Sequence, residues 1–225
     1  MQIRVVQNVL EKNKTVACEN RDRLTISGVL CMNVLSAPGS GKTSLLQKTI
    51  ARLNEEHPCA VLVGDLQTTR DAERLADVSA QVVQINTGRG CHLTASQVEA
   101  GLNELNLDGL SFVFIENVGN MVCPAGFDLG EHARAILLST PEGSDKVAKY
   151  PILFQTADVI LLSKIDLSEV LEYHSQQVSE DLERINTRAP LIEVSAKTNV
   201  GIEPWVQWLL ENRSKRVGGL LASST

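Results

Sequence analysis

The stretch Val29-Leu30-Cys31-Met32-Asn33-Val34-Leu35-Ser36-Ala37-Pro38-Gly39-Ser40-Gly41-Lys42-Thr43-Ser44 decides the fold. An apolar run ends in a glycine-bearing turn, and a helical pattern opens directly behind it at Leu45, Leu46, Ile50 and Leu53. A strand feeding such a turn at a helix start is a phosphate-binding loop. Successive backbone N–H groups and the helix N-terminus face the phosphates. Gly39, Ser40, Gly41, Lys42, Thr43 and Ser44 form this nucleotide-binding loop. Lys42 reaches the β and γ phosphates, and the Thr43 hydroxyl suits Mg²⁺. The full motif G-x-x-x-x-G-K-[ST] would begin with glycine where this chain has Ser36, a departure that matters only if that position needs positive φ.

Working outward, short β-branched runs alternate with helical patterns: Ala60 to Val63, Val82 to Ile85, Phe112 to Ile115, Ile136 to Leu138, Val159 to Leu162 and Leu191 to Val194. Helices are predicted around Ala72 to Val78, Ala95 to Leu105, Ser175 to Ile185 and Gly201 to Leu210. This rhythm predicts the α/β class, with a mostly parallel sheet covered by helices on both faces. Within the 225 residues we expect one domain over 29–212, an N-terminal helical extension over 1–28 packed on it, and a flexible tail over 213–225. A net charge of −6 argues against a broad nucleic-acid surface, and the basic clusters Lys12 to Arg23 and Arg213 to Arg216 read as solvated faces. No apolar run reaches the ~20 residues of a membrane span, and the first residues carry no secretory signal pattern. Five cysteines without a C-x-x-C pair suit a reducing compartment, so a soluble cytoplasmic protein is expected.

Ser163-Lys164-Ile165-Asp166 follows a strand where α/β sheets present ligand loops. A carboxylate at Asp166 accepts from both the ring N–H and the exocyclic amine of guanine, a donor pair adenine lacks. Lys164 lays its stem along the base, and Ser195-Ala196-Lys197 resembles the loop whose backbone N–H meets guanine O6. Ser163 stands where the common clamp has asparagine, so a loop-bracing amide is missing and weaker guanine affinity is expected.

Phosphoryl transfer needs a metal ion and stabilisation of spreading charge, and acids stand at two strand ends. Asp65 and Glu116 are candidate catalytic residues beside Lys42 and Gly119, and Thr43, Asp65, Asp71 and Glu116 are candidate magnesium ligands. The bland alternative is that these acids cap the helices that follow. Gly119 suits a γ-phosphate contact through its N–H, and Asn120 stands where fast GTPases carry a water-orienting glutamine, so slow intrinsic hydrolysis is expected.

Cys91-His92 and Cys123 add soft donors that suit Ni²⁺, Zn²⁺ or Cu⁺. Neighbours on a regular strand point to opposite faces, so Cys91 and His92 share an ion only in an irregular loop, for which Gly88 and Gly90 are suitable. Three ligands are sparse, and a two-fold axis would double them. A thiol shortly after Gly119 would move with nucleotide state.

Together these segments, with Gly64-Asp65, Asp71-Ala72-Glu73-Arg74, Thr87-Gly88, Glu116 to Asn120, Phe127 to His132 and Lys149-Tyr150-Pro151, resemble the hydrogenase nickel-incorporation GTPases of the HypB family over most of the chain. The resemblance implies a dimerising P-loop GTPase with GTP, Mg²⁺ and nickel (or zinc at the same site). It also implies a GTP-dependent homodimer with an interface metal site at Cys91, His92 and Cys123, and Lys149 reaching the partner's nucleotide. A nickel-binding hydrogenase accessory protein and a hydrogenase large-subunit precursor are the implied partners. The first thirty positions hold only Cys18, which argues against a nickel store there, and Thr94-Ala95-Ser96 replaces donors found in some relatives. The alternatives are a maturation GTPase for urease or another metalloenzyme, a GTP switch with structural zinc, and a small-molecule kinase. Cys31 and Cys59 read as core, Trp205 and Trp208 as one packed helix face, and His132 as a candidate outer partner of the metal ligands.

Overall fold

The computed structural model describes residues 9–53, 56–65, 69–88 and 90–218. Positions 1–8, at the start of the expected extension, and 219–225, most of the expected tail, lie outside the described residues. Seven strands form one sheet: β1 (Leu30–Ser36), β2 (Cys59–Asp65), β3 (Gln81–Asn86), β4 (Phe112–Glu116), β5 (Ala133–Ser139), β6 (Val159–Ser163) and β7 (Leu191–Val194). They are accompanied by α1 (Val9–Ile26), α2 (Lys42–Leu53), α3 (Arg70–Ala76), α4 (Ala95–Asn103), the short α5 (Lys146–Lys149) and α6 (Pro151–Gln155), α7 (Ser175–Ile185) and α8 (Ile202–Arg216).

Every strand pair is parallel, in the order β3-β2-β4-β1-β5-β6-β7. Strands covered on both faces must be apolar throughout, which is why β1 and β4 are buried at every position. Side chains alternate between two cores. Phe112 and Phe114 pack with Leu45, Leu46 and Trp205 on one face, whereas Val113 and Ile115 meet Leu24, Val98 and Leu102 on the other. Trp205 keeps its indole N–H satisfied on Thr49 Oγ1 at 3.0 Å, and Trp208 stacks on it. Topology reverses at β1, because the chain moves outward to β2 and β3 on one side and later to β5, β6 and β7 on the other. The crevice at the carboxyl ends of β1 and β4 is therefore the expected ligand position.

An N-terminal helix packs on the domain as expected, whereas the basic clusters and the C-terminal end differ from the sequence reading. α1 is held by polar bonds more than by an apolar stripe: Asn20 Nδ2 donates to the carbonyls of Ala95 and Leu129 at 3.0 Å, and Asn13 Nδ2 to that of Asp128 at 2.7 Å. Gly130, at φ 93°, lies so close to α1 that a Cβ would fall 2.6 Å from the Ala17 carbonyl oxygen. Arg21 pairs with Asp128, Arg23 bonds Asn103 and the Leu102 carbonyl, Arg213 reaches the carbonyls of Ser111 and Gly28, and Arg216 pairs with Asp158. These cations anchor both terminal helices, where solvated faces were expected. α8 runs through Arg216 and Val217 is buried, so this segment is packed where a tail was expected to begin. No described helix is long and apolar enough to cross a membrane.

His132 belongs to this anchorage and not to a metal shell. Its Nδ1 accepts from Cys31 N at 2.9 Å and its Nε2 meets Thr25 Oγ1 at 2.9 Å, so both ring nitrogens are occupied. Burial, then the Arg21 and Arg216 charges, lowers its pKa from 6.5 to about 4. The folded chain thus resists a proton that the unfolded chain takes up below 6.5, so this contribution is complete above 6.5 and is lost as pH falls toward 4. We predict that denaturant midpoints fall across that window in the wild type, and that His132→Asn flattens the fall. An unchanged slope in the variant would refute the assignment.

Candidate functional site

Two adjoining clefts open at the carboxyl ends of the strands, of about 530 and 500 Å³, and they share Gly41, Ser44 and Lys164. The first gathers Gly39, Lys42, Thr43, Asp65, Asp71, Glu116 and Gly119. The second gathers Ser40, Asp166, Ala196 and Lys197. The first holds the residues expected to meet phosphates and the second those expected to meet a base.

The phosphate end is built on buried charge. Lys42 is 9% exposed, and its ammonium donates to Ser36 Oγ at 2.9 Å. Burial lowers its pKa, opposed by the charges of Glu116, Asp71 and Glu142. Ser36 is thus explained: it ends β1 in extended conformation, where no glycine is needed, and its hydroxyl receives the lysine. Thr43 Oγ1 donates to Glu116 Oε1 at 2.7 Å, whereas the buried Glu116 Oε2 has no hydrogen-bond partner among the described residues. Burial raises the Glu116 pKa to about 6, with the Thr43 bond and Lys42 opposing. A carboxylate oxygen kept from water beside a threonine hydroxyl fits a hard divalent cation. Asp65 ends β2, and Asp71 on α3 lies 3.7 Å from Arg74 in a half-exposed pair. Arg74, noted in the sequence only as part of a motif, bonds Ser44 Oγ at 3.0 Å and so ties α3 to the loop. Residues 66–68, between these acids, lie outside the described set. A Cβ on Gly119 would fall 3.0 Å from Pro38 Cα, so only glycine lets this segment lie against the phosphate loop.

At the base end Lys164 adopts φ 59°, and its Nζ reaches back to the Gly39 carbonyl at 2.6 Å. Ser163 performs the brace that the sequence reading found missing, because its hydroxyl donates to the Ser40 carbonyl at 2.8 Å. Ser195, fully buried, stands behind the wall and donates to Asp166 Oδ1 at 2.6 Å, which fixes the carboxylate without exhausting its acceptors.

The thiol cluster lies at the surface. The ligand atoms of Cys91, His92 and Cys123 all fall within 4.8 Å of one another. The turn at Thr87 to Gly90, closed by the Gly90 N–H on the Thr87 carbonyl and using Gly88 at φ 62°, supplies the irregularity that lets adjacent residues converge. A hydrogen bond with Cys123 leads the causes that raise the Cys91 pKa, burial lowers that of His92, and the imidazole lies tilted by 38° against Phe127 with ring centres 3.9 Å apart. Thr94 caps α4 in a capping box with Gln97, which accounts for its replacing a donor. Two asparagines link this cluster to the nucleotide end. Asn117 Oδ1 accepts from Val118 N at 2.9 Å and Leu93 N at 3.4 Å, and Asn120 Oδ1 accepts from Val122 N at 2.8 Å and Cys123 N at 3.2 Å.

A phosphate loop with a buried lysine, a threonine-bound acid and a braced guanine carboxylate define a P-loop GTPase. The sequence profile of the CobW/HypB/UreG nucleotide-binding domain matches residues 30–193. Hydrogenase maturation factor HypB of Rhizobium leguminosarum is 43% identical, over 95% of this chain and 72% of its own length. Hydrogenase/urease maturation factor HypB of Helicobacter pylori is 40% identical, over 94% and 88%. Among solved structures, HypB from Helicobacter pylori in complex with nickel superposes with a TM-score of 0.87 at 40% identity, covering 92% of this chain and 97% of that one. A LAO/AO transport system kinase, at 16% identity and TM-score 0.59, shares the fold alone. The chain belongs to the HypB family of hydrogenase maturation factors.

Asp166→Asn should lower GTP affinity roughly a hundredfold, since two bonds to a charged acceptor are lost, and raise that for xanthosine triphosphate, with the melting temperature of the nucleotide-free protein unchanged. Titration with fluorescent nucleotides checks this. Unchanged GTP affinity, or equal competition by ATP, would contradict the guanine assignment.

Proposed function

We propose that this chain uses GTP binding and hydrolysis to control a nickel site shared between two copies of itself, and delivers that nickel to a hydrogenase precursor. The convergence of Cys91, His92 and Cys123 beside the segment that follows Glu116 carries the reading. Nickel is the cargo, and soft sulfur and imidazole donors suit it. The relative crystallised with nickel supports this choice of metal. One chain offers three ligand atoms, and a second copy across a two-fold axis would complete the set. Val122, 65% exposed next to Cys123, and Ile152, 66% exposed after Lys149, are apolar surfaces such a contact would cover.

In the proposed cycle the loop N–H groups and the start of α2 receive the phosphates, and Lys42 exchanges its serine partner for β and γ oxygens. Thr43 and Glu116, with Asp65 and Asp71 nearby, would hold Mg²⁺, which when bound neutralises charge on the β and γ phosphates. The Gly119 N–H approaches the γ-phosphate across Pro38. Asn120 is committed to the turn at Cys123, and with no glutamine in that place hydrolysis by one chain is slow. Lys149, paired with Asp145, is proposed to turn to the partner's nucleotide. A nickel-binding accessory protein upstream and the hydrogenase large-subunit precursor downstream complete the route. Because a relative is named for urease as well as hydrogenase maturation, urease is the second client to test.

Light scattering with nickel analysis tests the proposal. A non-hydrolysable GTP analogue should double the mass relative to GDP, Lys149→Ala should stay monomeric, and Cys123→Ser should dimerise but lose at least about nine-tenths of its bound nickel. Nickel content that ignores Cys123 would leave only a GTPase of other purpose.

A further inference from the structure

Glu142, absent from every motif read in the sequence, lies in the turn 140–142 after β5. Its Oε1 accepts from Ser40 Oγ at 2.6 Å, from Ser139 Oγ at 2.6 Å and from Ser139 N at 3.0 Å. Ser40 has one hydroxyl proton and two acceptors in reach, the carboxylate and the Ala37 carbonyl at 2.8 Å. The shorter, charge-assisted bond takes it. The carbonyl of the same residue accepts from Ser163 Oγ. Ser40 is therefore held at its side chain from the end of β5 and at its backbone from the end of β6. The peptide so clamped leads into Gly41, at φ 96°, where the direction of the next N–H groups is set.

We infer that Glu142 is a positioning residue for nucleotide binding, which acts through Ser40 to aim the phosphate loop and ties its grip to the segment carrying Lys149. Its capping box with Ser139 stabilises the turn, but its second oxygen does not. Glu142 Oε2 is buried with no hydrogen-bond partner among the described residues, as is the Tyr173 hydroxyl, and a desolvated, unpaired oxygen weakens a fold. The Glu142 charge also supports the ammonium form of Lys42, behind Glu116 and Asp71. Thr140, in the same turn, donates to the Lys164 carbonyl at 2.8 Å, so both clefts rest on this turn. The chain then passes directly into α5 and Lys149. A change in loop occupancy thus has a short covalent path to the proposed dimer contact.

The inference rests on the GTPase reading, and a double-mutant cycle on the full chain tests it. Fluorescent GDP and a non-hydrolysable GTP analogue are titrated into wild type, Ser40→Ala, Glu142→Ala, Glu142→Gln, Ser139→Ala and the Ser40→Ala/Glu142→Ala double. Ser40→Ala and Glu142→Ala should each weaken binding about tenfold, and the double no more than the worse single. Glu142→Gln, which keeps an acceptor, should recover part of the loss, and Ser139→Ala should stay within about twofold. Additive losses, or an equal loss in Ser139→Ala, would reduce Glu142 to a cap on its own turn and overturn the inference. Wild type that binds no guanine nucleotide would overturn the GTPase reading too, whereas normal binding by every variant would sink only the role of Glu142.

Discussion

The carboxyl end of the sheet is organised around two charges kept from water, the Lys42 ammonium and the Glu116 carboxylate. Each is buried, and among the described residues each has less than its full set of partners: the lysine donates to one serine hydroxyl and the glutamate leaves one oxygen unpaired. Holding them so costs stability, which the proposed polyphosphate and its cation would return. The opposed pKa shifts, down for Lys42 and up for Glu116, express one physical fact, desolvation that their mutual attraction and few hydrogen bonds offset only in part. The parallel sheet makes this possible, because β1 and β4 are neighbours and end side by side at the switch point.

From that pair the structure extends toward the metal by contiguous bonds. Glu116 is followed by Asn117, whose side chain holds the backbone at Leu93, one residue past His92. Gly119 is pressed on Pro38, and Asn120 holds the turn at Cys123. The segment proposed to meet the phosphates is thus attached to both loops that bear Cys91, His92 and Cys123. Gly119 lies close enough to Pro38 that a side chain there would press on the phosphate loop, so a shift of one segment bears on the other. These contacts are a mechanical basis for coupling the two sites.

What was legible in the sequence was local. The phosphate loop, the apolar strands and the serine-lysine-isoleucine-aspartate clamp are contiguous segments whose chemistry is complete in a few residues. The convergence of Cys91, His92 and Cys123 was read through family resemblance, since spacing alone does not bring residues 91 and 123 together. The misreadings share a cause. Ser163 looked deficient because the carbonyl it braces belongs to Ser40, more than a hundred positions away. Arg213 and Arg216 looked solvated because their acceptors are backbone carbonyls and an aspartate at the far side of the sheet. Glu142 went unnoticed for the same reason: a single acid in a turn carries no pattern, and its partner Ser40 is remote.

In the proposed cycle the nucleotide and nickel sites are linked through the segment from Glu116 to Cys123. Linkage requires the same factor in both directions. Nickel affinity should therefore be measured with GDP and with a non-hydrolysable GTP analogue, and the affinities of both nucleotides with and without nickel, in wild type and Asn117→Ala. Two equal ratios of about fivefold or more are expected in wild type, collapsing toward one in the variant while each ligand still binds alone. Ratios of one in the wild type, or coupling that survives Asn117→Ala undiminished, would contradict that linkage.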